Sequence, residues 1–327
     1  MDSLLAGWSS ADSQVLEEGV LLAEHRLLET GLFSDEALAT LLDSHPAQHL
    51  SINTMGHDTT RFQWREGGRN GIAGRELLEV VRHGHLWINA RNLLTHQPRY
   101  AEVIERLFDE LEAMNPRFKA QQRSANLLIS SPDSLVHYHV DIPVNMLWHL
   151  RGTKRVWVYP HWDHRFVSRE VMEKVCAGEF SEDVPYSTTL DKYALVYDVQ
   201  PGQMLTWPQH APHRVNNLGG LCVSLSTEHK NPLARRRINV HLANHFLRRR
   251  LGIDCRSITP FGIAAHAKQA LARAARMANR FRKKPRKQFT YPISFVVDAD
   301  APGGVRLLDV PNEALSAPHE MEELVVM

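Results

Sequence analysis

Apolar residues recur at helical spacing through the first third of the chain. Residues 16–28 carry them every three or four positions, Ser34 can cap a helix running to Leu42, and residues 100–114 repeat them at Val103, Ile104, Leu107, Leu111 and Met114. Between these segments His85-Leu86-Trp87-Ile88-Asn89 reads as a short strand. From about Arg117 the texture changes to short β-type runs, at 126–129, 136–141, 144–150, 155–159, 195–199, 204–207, 213–215 and 221–227. Turn residues separate them at Ser131-Pro132-Asp133, Arg151-Gly152-Thr153, Pro201-Gly202 and Asn217-Leu218-Gly219-Gly220. Many short strands of this kind predict a mainly β core with flanking helices (α+β), a double-sheet jelly roll rather than a parallel α/β sheet. Helical spacing returns at 234–251 and 261–282, and a last strand-like run at 291–297 precedes an acidic tail. The pattern thus divides the chain into a helical support region (1–116), a β core (117–230), a basic helical segment (231–287) and a strand with an acidic tail (288–327).

Composition excludes several classes. The 327 residues are 43% apolar and 23% charged, which is ordinary for a globular protein and removes disorder and collagen. No apolar run reaches the roughly 18 residues of a membrane span, and no repeat of 20 to 50 residues is present. The amino terminus lacks a basic region followed by a long apolar stretch, and Cys176, Cys222 and Cys255 lie scattered in no metal-ligand spacing. Both features lead us to expect a reducing, cytoplasmic setting. A net charge of +1 argues against a polyanionic partner until charge is counted by segment. Residues 230–287 hold 17 Lys and Arg against the single acid Asp254, so this block carries +16 and the remainder −15.

The densest candidate chemistry is His137-Tyr138-His139-Val140-Asp141, because a strand turns residues i, i+2 and i+4 to one face. A His-x-Asp pair offers one imidazole and one carboxylate to a metal, and the segment 202–213, which holds His210 and His213, can supply another imidazole. Two histidines and one carboxylate leave three coordination positions open, the arrangement of non-haem Fe(II) oxygenases. Lys154 stands at the head of the apolar run Val156-Trp157-Val158, where a buried ammonium needs an anionic partner.

With these residues in order, the stretch from Asn126 to Lys230 resembles the JmjC-type, cupin-like 2-oxoglutarate oxygenases. It is especially similar to the factor-inhibiting-HIF kind of asparaginyl hydroxylase. The resemblance rests on His139-Val140-Asp141, Asn145, Arg151-Gly152-Thr153-Lys154-Arg155, Pro160, Gly202, Pro208 and His213. It implies a double-stranded β-helix (jelly roll, cupin-like) in which His139, Asp141 and His213 ligate Fe(II) and Lys154 pairs with the distal carboxylate of 2-oxoglutarate. Asn145 and Ser226 would lie beside that cosubstrate. The implied activity is that of a dioxygenase, a hydroxylase using O2 to couple 2-oxoglutarate decarboxylation to oxidation of a C–H bond in a protein side chain or small molecule, with demethylation if the carbon is N-methyl. Val136 and Ser226 replace a threonine and an asparagine of the asparaginyl hydroxylases, and residues 223–226 lack the arginine that other 2-oxoglutarate oxygenases use.

Another reading is a metal-binding cupin of non-oxygenase or regulatory function. Gly202-x5-Pro208 with His213-x3-Asn217 fits that motif, but Pro143 and Val144 stand where such cupins place a glutamate. An oxygenase acting on a glycan or lipid headgroup at a membrane surface is the third. The 230–287 block bears on it, since a basic amphipathic helix can meet anionic membranes or nucleic acid, or pack on the acidic remainder. By the resemblance, the C-terminal helices would form a homodimer. The acid-rich stretch 176–192, with Glu179, Glu182, Asp183 and Asp191, is the expected substrate rim.

Overall fold

The computed structural model describes residues 2–281 and 292–309. The basic run at 282–287, Tyr291 and the acidic tail from 310 onward lie outside the described residues. Thirteen strands form one hydrogen-bonded network. The first five are β1 (Leu5–Ala6), β2 (Leu21–His25), β3 (Leu50–Thr54), β4 (Arg65–Gly68) and β5 (Trp87–Ala90). The centre is built from β6 (Gln121–Ser130), β7 (Leu135–His139), β8 (Val144–Val158), β9 (Leu195–Val199), β10 (Gln203–Thr206) and β11 (His213–Lys230). Two more, β12 (Ile293–Val297) and β13 (Val305–Leu307), extend the edge beyond β4.

Two long strands make this network a jelly roll. The Val144 end of β8 pairs with β10 and with the Lys230 end of β11, whereas the Val158 end pairs with β9 and with the His213 end of β11, which also carries β7. Each strand therefore passes from a large sheet into a smaller one of four strands, bending where the register shifts near Gly152 and Gly219. Leu147, Val156, Val158, Leu205, Trp207 and Val215 fill the space between the sheets. The bend depends on glycine: Gly152 has φ +76°, and a Cβ there would lie 2.5 Å from Cys222 Sγ and 3.0 Å from the Leu221 carbonyl oxygen. Gly152→Ala is expected to lower stability by about 1–3 kcal/mol, read as a lower urea midpoint at unchanged slope.

Helices flank the large sheet: α1 (Ser10–Val15), α2 (Asp35–Ser44), α3 (Gly74–His83), α4 (Leu93–His96) and α5 (Pro98–Met114) come before β6. Ser34 caps α2 as predicted, its Oγ accepting from the Ala37 N–H. Residues 16–28, predicted helical, are not a helix. Glu17 takes a positive φ of 74° and Gly19 follows, so the chain leaves α1 and enters β2, which lines up along β10. The region before 117 is accordingly not helical support alone, since five of its segments are strands of the sheet.

After the small sheet come α6 (Arg169–Ala177), α7 (Pro232–Leu251) and α8 (Ile263–Phe281), which pack in sequence on one another. Part of the basic block is engaged within the protein. Arg248 bonds the fully buried Glu173 at 3.0 and 3.3 Å and pairs with Asp254, and Arg249 pairs with Glu179. Among the described residues no helix is long and apolar enough to cross a membrane.

Candidate metal centre

β7 ends at His139, and β11 begins at His213 directly opposite it. The two imidazoles lie 4.0 Å apart between ring centres. Asp141, two residues past the strand end, brings Oδ1 to 3.8 Å from His139 Nε2 and Oδ2 to 3.5 Å from His213 Nε2. The ring nitrogens that face away are held by the backbone. His139 Nδ1–H donates to the His137 carbonyl at 2.7 Å and His213 Nδ1–H to the Ala211 carbonyl at 3.1 Å. A carbonyl can only accept, so both neutral rings carry their proton on Nδ1 and present the Nε2 lone pair to the shared space. Burial pushes His213 down to about 3, which keeps it neutral and ready to ligate. The three donor atoms lie within 4.8 Å of one another, and a divalent cation about 2.0–2.2 Å from each nitrogen and oxygen fits between them.

The strand face predicted for His137, His139 and Asp141 together holds only in part. The β7–β11 register shifts between His213 and Val215, and His137 Nε2–H donates to the Met55 carbonyl at 3.1 Å instead of joining the pair. His210, at φ +67°, turns toward His241. Asn145 Nδ2 donates to Asp141 Oδ2 at 2.8 Å, and Ser226 Oγ donates to Asn145 Oδ1 at 3.1 Å. Asn145 and Ser226, expected beside a cosubstrate, thus form a chain that aims the Asp141 carboxylate. Removing such outer partners typically weakens metal affinity 10- to 100-fold. Asn145→Ala is expected to raise the Co(II) dissociation constant by about that factor in a competitive chelator titration.

Lys154 reaches the same interior by register. Residues paired directly across an antiparallel ladder share a face, and the pairs His213↔Val158, Val215↔Val156 and Asn217↔Lys154 put Lys154 on the side of His213. Its side chain is 2% exposed and forms no ion pair among the described residues. Burial holds its ammonium below the usual lysine range, against a smaller opposing influence of the Cys222 thiol.

Two features of this surrounding were not predicted. The Trp207 ring packs against His213 with ring centres 4.3 Å apart. Glu228, on the β11 face of Ser226, has its carboxyl pushed up to about 7 by burial and by the Asp141 charge. Alternation along β11 could have placed Glu228; nothing local in the sequence marks Trp207. The predicted rim at 176–192 is partly structured: Asp183 bridges to His139 through the backbone, and residues 188–193 form a 3-10 turn. Among the described residues the other trio with metal-ligand spacing, His57, His85 and Asp133, sits at the surface with His57 and Asp133 exposed.

Residues 82–231 match the family described as the Cupin-like domain. A solved structure of YcfD from E. coli aligns with a TM-score of 0.50 and 15% identity over 87% of this chain and 70% of that one. A second structure, described as YcfD, a ribosomal oxygenase from Escherichia coli in complex with cobalt and 2-oxoglutarate, aligns with a TM-score of 0.46 and 16% identity over 87% and 69%. No curated protein sequence matches the chain. The fold is that of a cupin-like jelly roll, in agreement with the architecture read from the strand pattern.

Proposed function

We propose that this protein is an Fe(II)- and 2-oxoglutarate-dependent oxygenase, most simply a hydroxylase. One observation carries the reading: two imidazole Nε2 atoms and one carboxylate converge inside the barrel, and a buried ammonium, without an ion pair among the described residues, stands on the same inner face. A ligand that joins the two must present an anion to the lysine and metal-binding oxygens to the triad, which is the chemistry of a 2-oxo diacid.

In this reading His139, Asp141 and His213 would hold Fe(II), and three protein donors would leave positions for cosubstrate and O2. Bound there with 2-oxoglutarate, Fe(II) would supply oxidation of a C–H bond by O2, with succinate and CO2 as co-products. The chain's own contribution is positional. Lys154 Nζ would pair with the distal carboxylate. Asn145 fixes Asp141, Ser226 fixes Asn145, and both histidine tautomers are set by backbone carbonyls. Leu147, Val156 and Val215 keep water from the inner face, so the Lys154 pair forms in a medium where charge attraction is strong.

A protein side chain is the substrate class favoured by the motif likeness to asparaginyl hydroxylases. The fold-matched YcfD is itself described as a ribosomal oxygenase. The pairing of Arg248 and Arg249 with Glu173 and Glu179 favours packing of the 230–287 block on the protein's own acidic body. The test is succinate formation from 2-oxoglutarate with Fe(II) under air. Wild type is expected to release succinate even without primary substrate, slowly, and His213→Ala to release none above the protein-free background. Tight metal binding with neither 2-oxoglutarate binding nor turnover would transfer the site to a cupin of another activity.

A further inference from the structure

A cavity of about 230 Å³ opens beside the 209–212 segment and α7, and none of His139, Asp141 and His213 lines it. Its polar lining includes Gln209, His210, His241, His161, His164 and Arg237. Gln209, His210 and His241 are 2%, 8% and 6% exposed, and each leaves one polar atom without a hydrogen-bond partner: Oε1, Nε2 and Nδ1 respectively. Buried polar atoms are seldom left unpaired, and these three belong to side chains that line one cavity, which leaves its wall with unspent hydrogen-bonding capacity for an occupant.

The chemistry of that occupant follows from the lining. Arg237 is half-buried and forms no ion pair among the described residues. The acids that act on it are Glu18 and then Glu17; among the described residues neither lies within ion-pair distance of it, and Glu17 is held by His229. The lining carboxylate Asp163 is bonded by Arg165 at 2.5 and 2.8 Å. Further positive charge reaches the cavity histidines from Arg169 and Lys268. The site therefore favours an anion, with imidazole and guanidinium N–H groups to donate to its oxygens. Gln209 adds a restriction. Its Nε2 already donates to the Ile142 carbonyl at 2.7 Å, so Oε1 is left to accept, and the occupant must also carry a donor. Hydrogen phosphate and a singly protonated phosphate monoester have negative oxygens and an O–H together. Sulfate and a carboxylate lack the O–H.

We propose that this cavity is a phosphoryl-binding site, separate from the metal centre, filled by free phosphate or by a phosphate monoester. Exposed Trp162 on its lining offers an apolar platform for the body of a monoester.

Titration calorimetry on the full chain in phosphate-free buffer tests this. Inorganic phosphate is expected to bind saturably and at least about tenfold more tightly than sulfate. Arg237→Gln is expected to weaken phosphate at least about tenfold, Arg237→Lys to recover part of the loss, and Lys154→Ala to leave it unchanged. Glycerol 2-phosphate binding more tightly than phosphate identifies a monoester as the occupant, and weaker binding identifies free phosphate. No saturable binding, equal affinity for sulfate, or loss in Lys154→Ala with retention in Arg237→Gln would overturn the assignment.

Discussion

Lys154→Ala is expected to weaken 2-oxoglutarate binding by roughly 100- to 4,000-fold while leaving Co(II) affinity within about threefold. Removing one member of a buried ion pair strands the other, which costs about 3–5 kcal/mol, and each 1.4 kcal/mol is tenfold in a dissociation constant. The same residue has the opposite effect on the ligand-free protein. A buried ammonium with no anionic partner among the described residues is a liability to the fold, so Lys154→Met, which keeps the stem and removes the charge, is expected to raise the urea midpoint. A lysine kept for structure alone would give a lower midpoint and an unchanged affinity for 2-oxoglutarate. Isothermal titration with Co(II) present and urea unfolding without ligand measure the two signs separately.

The second large effect is loss of stability in mild acid. His25 is 5% exposed and bonded on both ring nitrogens as the neutral ring: Nε2–H donates to the His149 carbonyl at 3.1 Å, and Nδ1 accepts from the Leu27 N–H at 3.2 Å. A second proton would put two donors face to face at Nδ1. His149 is built alike, with Nε2–H donating to the Gly152 carbonyl at 3.0 Å and Nδ1 accepting from Ser224 Oγ at 2.9 Å. Burial holds His25 down to about 4, and burial with the nearby Lys154 charge holds His149 down to about 3.

Because both values lie below that of an unfolded histidine, about 6.5, the unfolded chain takes up more protons below that pH. The stability these rings contribute is whole above pH 6.5 and falls as the pH drops toward 4 and then 3. Each ring can account for about 3 kcal/mol, against a typical total of about 5–15 kcal/mol. Urea midpoints are expected to drop steeply between pH 6.5 and 4.5, and His25→Gln to flatten that slope. A midpoint constant over this interval would refute the assignment of neutral, doubly bonded rings.

How much of this was readable in advance depended on whether the signal was local. His139, Asp141 and His213 carry their spacing in the sequence, and Lys154 announces itself by preceding an apolar strand. Asn145 and Ser226 are marked by motif spacing, but the bond from Asn145 to Asp141 is not legible there, because it depends on how the chain turns after β7. The β runs at 144–150 and 155–159 were read as two strands. The turn chemistry at Gly152 was right, yet a positive φ inside a continuous ladder bends a strand without ending it. The early strands gave little warning. β4 contains Gly67 and Gly68, and Phe295 fills the place a Gly67 side chain would take, so this strand has no apolar alternation to detect. In β2 only Leu21 and His25 are buried, and its leucines fit a helical period equally well.

The bend shared by β8 and β11 has a consequence for selectivity. His213 and the proposed anion anchor do not sit on independent loops whose spacing could drift; they are tied through one antiparallel ladder. Lys154 stands four residues along β8 from Val158, the partner of His213, a backbone separation of about 13 Å at roughly 3.3 Å per residue. The ladder works as a fixed gauge, closed at one end by the triad and at the other by an ammonium. Under the proposed function it is expected to admit a diacid whose carboxylates are the right number of carbons apart, and a homologue one carbon shorter or longer to lose one of its two ends.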